Sequence, residues 1–274
     1  MRIASKGHAV FAATLIGLGL LGLIQGDFTA VWGGVPKALP ARELLAYLCA
    51  GVSLACGLGL LWPRTAASSA RVVLAYLVVW TLLFKGRFIL LEPTSEGPYQ
   101  TFGENLVLVA GAWVLYAWLA TEWDRQHLGF AVADRGVRIA RVLYSLAMIA
   151  FGLSHFAYLN LTVPLVPGWL PWHVGWAYFT GMAYLAAALA MLTGVCARLA
   201  AVLSVAQMGG FTLLVWVPMA IAGTLSTFQW GELLESWALT AAAWVVADSY
   251  RGMPWLALSR RPVIVSSGGT RAAS

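Results

Sequence analysis

Charge is what this sequence has least of. Only 10% of its 274 residues are Asp, Glu, Lys or Arg, against roughly 25% in soluble domains. With 61% hydrophobic residues and a mean hydropathy of +0.79, a water-soluble core could not hide the apolar surface. Cysteine is scarce too: Cys49, Cys56 and Cys196 are all there is. No C-x-x-C occurs, and the seven-residue step from Cys49 to Cys56 is roughly 10 Å along a helix, too far for a disulfide. That excludes a disulfide-relay enzyme built on a vicinal pair. Also missing are a phosphate loop, a dinucleotide fingerprint and a convergent catalytic triad; Ser154 and His155 are neighbours in sequence only. No paired-histidine haem spacing recurs, and no metal site is expected.

What remains is a polytopic membrane protein. Apolar runs of about 20 residues cross a bilayer as helices, and eight are expected, at 8–26, 41–62, 71–91, 104–121, 139–159, 172–193, 199–222 and 232–250. The fold class is an all-α membrane helical bundle. Gly22 and Gly26 form a GxxxG step that allows close helix approach. The segment after Arg2 and Lys6 resembles a signal peptide, but is expected to be retained.

Basic residues orient the spans. Arg2, Lys6, Arg64, Arg71, Arg125, Arg135, Arg138, Arg141, Arg198, Arg251, Arg260, Arg261 and Arg271 fall on one side. Only Lys37, Arg42, Lys85 and Arg87 fall on the other. The richer side is cytoplasmic, which places both termini inside a plasma (inner) membrane, multi-pass, with loops 27–40, 92–103, 160–171 and 223–231 outside. The net charge of +6 is then a topology signal rather than a sign of nucleic-acid binding. The tail 251–274 is Ser/Gly-rich, basic and expected to be disordered, lying against anionic lipid.

The outer stretch "VPKALPARELLAY" at 35–47 returns as "VPGWLPWHVGWAY" at 166–178. The same 131-residue step pairs Pro36 with Pro167, Pro40 with Pro171, Leu54 with Leu185, Thr81 with Thr212, Glu104 with Glu235 and Trp113 with Trp244. One ungapped shift across three helices indicates an internal duplication. Four spans per copy is an even number, so the eight transmembrane helices form two parallel four-helix repeats. The first unit is 1–124, a basic cytoplasmic linker is 125–138, and the second unit is 139–250. The second proline of each loop is expected just before a helix, where its missing N–H costs little.

A Gly-rich first helix, an outer P-x-x-x-P loop and a polar start to the second helix, present over 10–121 and again over 141–250, resemble the DoxX-like membrane proteins. The chain looks like a tandem duplication of that four-helix unit. The resemblance implies a redox neighbourhood: some relatives are linked to thiosulfate oxidation with quinone reduction, others to thiol or oxidative-stress enzymes. It fixes no reaction and does not say whether the chain is an enzyme.

Ionisable residues inside spans are costly and mark function by default. Lys85 and Arg87 lie in "LLFKGRF", where the second half has Trp216 and Pro218. They either snorkel from a helix end or bind an anionic or quinone-like ligand, with Glu104 as the salt partner. Glu104 and Glu235 are each expected to begin the last helix of their unit, where a carboxylate suits the helix N-terminus; proton handling is the alternative. Glu232 shares the face of Glu235. His155 and His173 flank the second proline loop, either as interfacial histidines or as a proton-transfer set with Glu235. Trp32, Trp62, Trp123, Trp169, Trp172, Trp230 and Trp255 read as an interfacial belt, while Trp172 and Trp176 beside His173 could form a slot for a planar ligand.

These residues support three expectations. The first is a redox-associated membrane subunit with a quinone or small sulfur compound near its outer face, served by a soluble or membrane redox partner. His155, His173 and Glu235 would move protons, and Lys85, Arg87, Glu104, Trp172 and Trp176 would hold the ligand. The others are a small-molecule transporter and a scaffold that docks a soluble enzyme on its basic cytoplasmic segment.

Overall fold

Residues 4–257 are described by a computed structural model. Among them there is no strand, and eight long helices carry the architecture: α1 (Lys6–Gln25), α2 (Arg42–Leu61), α3 (Ala66–Leu91), α4 (Gly97–Leu119), α5 (Ala133–Ala157), α6 (His173–Thr193), α7 (Ala197–Ile221) and α8 (Thr227–Asp248). The first seven are long and apolar enough to cross a membrane. The eighth carries Gln229, Glu232, Glu235 and Asp248 and is not among them. It has no need to be: from Ala238 to Asp248 every residue but Trp244 is buried, so little of that stretch faces the surroundings. In α4 the matching run from Val107 to Ala117 is buried except at Trp113.

Consecutive helices pack on one another, α8 returns to α1, and α4 and α8 meet through the middle. Gly111 of α4 and Ala242 of α8 touch there; a methyl added to Gly111 would lie 3.0 Å from the Ala242 backbone and Cβ. At the outer contacts, the Cβ that Gly19 lacks would fall 2.5 Å from the Leu54 nitrogen and 2.8 Å from the Ala50 oxygen. At Gly152 it would fall 2.6 Å from Leu185 Cγ and 3.0 Å from the Gly181 oxygen. α1 therefore crosses α2, and α5 crosses α6, at backbone contact, where only glycine leaves room.

Helix ends follow local chemistry. Ser5 caps α1 by accepting from the His8 N–H, and Ser226 with Gln229 forms a capping box at α8. Gly26 ends α1 in the left-handed conformation, with φ 67°. The GxxxG step thus divides into two roles: Gly22 packs on Ala50, with an added Cβ at 2.9 Å from the Ala50 Cβ, while Gly26 is a cap. The proline loops match expectation to within one residue. Between Pro40 and α2 stands Ala41 at φ 55°, and between Pro171 and α6 stands Trp172 at φ 61°. Both are non-glycine residues in a region that costs such residues of order 1–3 kcal/mol; each proline does stand just before its helix, with one sharply turned residue between.

α3 and α7 each contain one π-helical segment, Thr81–Lys85 and Thr212–Trp216. Thr81 Oγ1 donates to the Leu77 oxygen at 2.6 Å and Thr212 Oγ1 to the Met208 oxygen at 3.1 Å. Such back-bonding loosens the regular ladder, and wide turns recur at functional sites.

Between α4 and α5, the short helix Glu122–His127 delivers Asp124 into a fully buried position. Arg71 donates to it from Nε and Nη2 at 2.8 and 2.9 Å, Tyr116 at 2.9 Å, and Thr121 from its amide and hydroxyl at 2.8 and 2.6 Å. Burial alone would push this carboxyl up; the guanidinium and the Thr121 and Tyr116 donors instead hold it well below the usual carboxylate range. Asp248 does similar work on the other side, accepting from the Gly7 N–H at 2.9 Å and pairing with Arg251 at 2.6 Å. Of the expected tail, 251–257 packs: Trp255 lies under Arg198 at 4.1 Å, and the Ala257 oxygen accepts from the Cys196 N–H at 2.8 Å. Residues 258–274 lie outside the described residues. Arg141, counted with the basic segment, turns inward onto Ser249 and over the Tyr250 ring at 3.9 Å.

Candidate functional site

The π-helical segment ends at Lys85, and its side chain is turned inward: the residue is only 6% exposed. This overturns snorkelling, which would put the ammonium in water. The loop before α2 lies over it. A Cβ on Gly33 would fall 3.8 Å from Lys85 Nζ, and one on Gly34 would fall 3.7 Å from Lys85 Cδ. The single turn Ala30–Trp32 in that loop rests on α8.

Glu104 of α4 and Glu232 and Glu235 of α8 share the electrostatic field of Lys85. Glu104 is not the direct salt partner it was expected to be: among the described residues Lys85 makes no ion pair, and Glu104 Oε1 accepts from Gln100 at 3.4 Å instead. Nor do Glu104 and Glu235 begin their helices. α4 starts at Gly97 and α8 at Thr227, so both carboxylates stand about two turns in. The helix dipole acts within the first turn and does not account for them there. Beside them Asn105 is fully buried, and neither end of its amide meets a protein partner. Glu235 Oε1 is likewise buried without one. Groups left this way cost about 1–3 kcal/mol each, so this end of the bundle holds unfulfilled hydrogen-bonding capacity. Sequence reasoning missed Asn105; an amide inside a span was the available signal.

Aromatic rings continue the site along α3. Phe84 and Trp80 lie 4.3 Å apart, and Trp80 meets Trp32 edge-on at 5.2 Å. Trp32 was assigned to the interfacial belt, but it is 1% exposed and donates to Ser53 Oγ at 3.0 Å. It is a core residue, drawn inward by the loop between α1 and α2. Trp169 and Trp172 are 70% and 81% exposed, as a belt requires. Trp176 stands at 38% with its ring against Phe179.

His155 and His173 lie elsewhere. His155 Nδ1 donates to the Phe151 oxygen at 2.8 Å, and its ring tilts against Tyr184 at 5.5 Å, within the α5–α6 contact. His173 is the first residue of α6 and half-buried. Among the described residues neither histidine bonds to Glu235. Arg87 lies over the Phe88 ring at 4.6 Å, with its Nε buried and without a protein partner. Among the described residues no three His, Cys, Asp or Glu side chains are spaced to hold a metal ion, and the three cysteines are free thiols.

No protein-family model matches this chain, and no curated protein or solved structure matches it either. The chemistry of the site is therefore taken from its own residues.

Proposed function

We propose that this chain is an eight-span, DoxX-like integral membrane protein made of two parallel four-helix units. In this reading both termini are cytoplasmic, the membrane is the plasma (inner) membrane, and α8 is the eighth span. Three observations support the duplication. Gly111 and Ala242, 131 residues apart, touch each other, as equivalent positions on a two-fold axis must. The partners of Gly19 and Gly152 differ by the same 131 residues, and so do the two π-helical segments.

The function follows from the Lys85 site. It binds a small redox-active ligand, a quinone or a small sulfur compound, near the outer face, and a partner protein supplies or removes the electrons. The observation that carries this is an inward ammonium whose field reaches three carboxyl groups, on the helix that also carries the Trp80–Phe84 ring pair. A planar carbonyl ligand needs a hydrogen-bond donor at its oxygen, flat walls and groups that exchange protons; these residues offer all three. Lys85 would orient the ligand, and Glu104, Glu232 and Glu235 would take up or release protons.

The test is quinone retention in lipid nanodiscs, measured by extraction and chromatography. About one quinone per chain, lost in Lys85→Met and kept in His173→Ala, is the expected result. A chain that retains none, with Lys85→Met indistinguishable from it, sinks the reading.

One observation favours a transporter as the second reading: carboxyls outnumber cations three to one at the site, which suits a solute that brings positive charge. Solute uptake into liposomes that falls in Glu235→Gln, without quinone retention, would select it.

A further inference from the structure

A second polar site lies away from Lys85, where the start of α4 meets α5. A groove of about 350 Å³ is lined by Thr94, Ser95, Glu96 and Tyr99 on one wall and by α5 on the other, from Leu146 to Leu153. Both carboxylate oxygens of Glu96 are shut off from solvent, and neither meets a donor of the protein. The adjacent Gly97 N–H is already engaged, donating to the Tyr158 hydroxyl at 2.9 Å. Nor can Glu96 use the hydroxyl of Tyr99, which donates to the Pro93 oxygen at 3.0 Å.

The two walls differ in a useful way. Glu96 stands immediately before the first residue of a span, at the depth where a bilayer changes from head groups to chains. The opposite wall is apolar and open, with Leu146 and Leu153 45% and 49% exposed within a span. An occupant must therefore be cationic and hydrogen-bonding at one end and hydrocarbon at the other. An ammonium carries three N–H donors, enough for both orphaned oxygens. A quaternary head group carries none and is too wide to make those bonds.

We infer that the α4–α5 groove is a binding site for a phospholipid with a primary-amine head group, its ammonium met by the Glu96 carboxylate turning from its closed position into the groove, and its chain laid along Leu146 and Leu153. Thr94 and Ser95 stand where hydroxyls can donate to the lipid phosphate. Burial pushes the Glu96 carboxyl up to about 7 when no cation is beside it, which agrees with a group that waits for a positive partner.

The full chain is reconstituted in nanodiscs holding equal amounts of phosphatidylethanolamine, its N,N-dimethyl derivative, phosphatidylcholine and phosphatidylglycerol. Lipids that survive release are counted by native mass spectrometry. Phosphatidylethanolamine should be retained roughly tenfold over phosphatidylcholine, the worth of one charge-assisted hydrogen bond, with the dimethyl lipid between them. Glu96→Gln should bring the ratio near one. The methylation series on the unaltered protein keeps the idea exposed even if that variant fails to fold. Equal retention of all four lipids overturns the site. Displacement of the lipid by free ethanolamine at equal concentration overturns its lipid nature.

Discussion

Asp124→Ala is the sharpest test of the polar lock between α3 and the end of α4. The substitution removes an acceptor that takes five hydrogen bonds, two from Arg71, two from Thr121 and one from Tyr116. Breaking a buried ion pair from one side costs about 3–5 kcal/mol. Arg71 keeps 38% of its side chain exposed, so water recovers part of its loss, whereas the Tyr116 hydroxyl is buried and recovers little. The expected cost is about 3 kcal/mol, a fall in Tm of roughly 6–12 °C at about 2–4 °C per kcal/mol. The assay is thermal unfolding in mild detergent, followed by tryptophan fluorescence. Asp124→Asn keeps one acceptor oxygen and should fall between the two. pH gives an independent check. A carboxyl held below its ordinary value stabilises the fold above about pH 3.9, and that contribution is lost as pH falls toward the folded pKa. The gap between wild type and Asp124→Ala should therefore be constant from pH 5 to 8 and shrink below about pH 4. A loss under about 2 °C, or a gap that widens in acid, refutes the reasoning.

Two further predictions use the same unfolding assay. Gly19→Ala places a methyl 2.5 Å from a backbone nitrogen and should cost about 1–3 kcal/mol; Gly152→Ala meets the movable Leu185 side chain and should cost less. Gly17→Ala, with nothing within 4 Å, should be neutral or stabilise by up to about 1 kcal/mol, and a loss there would count against the packing scheme. His8 is fully buried, accepts from the Ala4 N–H at Nδ1 and donates from Nε2 to the Leu60 oxygen at 3.0 Å. Nitrogen NMR should find the Nε2–H tautomer, and His8→Phe should cost about 1–3 kcal/mol by orphaning that carbonyl.

Much of the fold was legible because bilayer-length apolar runs announce helices one by one. The largest boundary errors are late helix starts: 71, 104, 139 and 232 were expected where α3, α4, α5 and α8 begin at Ala66, Gly97, Ala133 and Thr227, since hydropathy detects lipid-facing surface and these first turns are polar. The Ser226–Gln229 capping box was a better marker of the true start than apolarity. Because the starts were late, Glu104 and Glu235 looked like helix-end carboxylates. Trp32 failed for a related reason: a tryptophan near a loop resembles a belt residue until the loop folds inward. The Asp124 lock was invisible, since Arg71, Tyr116 and Asp124 are separated in sequence and only the turn at 121–127 brings them together. Lys85 and the two glutamates were legible, because charge inside an apolar run has to be accounted for.

The differences between the two halves carry the last step. At the positions matching Lys85 and Asn105 the second half has Trp216 and Ser236. Ser236 bonds Thr212 at 2.6 Å and Trp216 is buried, so in that half the position matching Asn105 has its partner. In the first half the Thr81 hydroxyl bonds back to Leu77, and the Asn105 amide is left with no protein partner. The two halves share glycine contacts, left-handed helix entries and π-helical turns, and they differ at the Lys85 site. Here the departure is in the first half, but Glu232 and Glu235 come from the second, across the α4–α8 contact. The site therefore draws on both halves of the chain: the ammonium comes from α3, while Glu104 comes from α4 and Glu232 and Glu235 from α8.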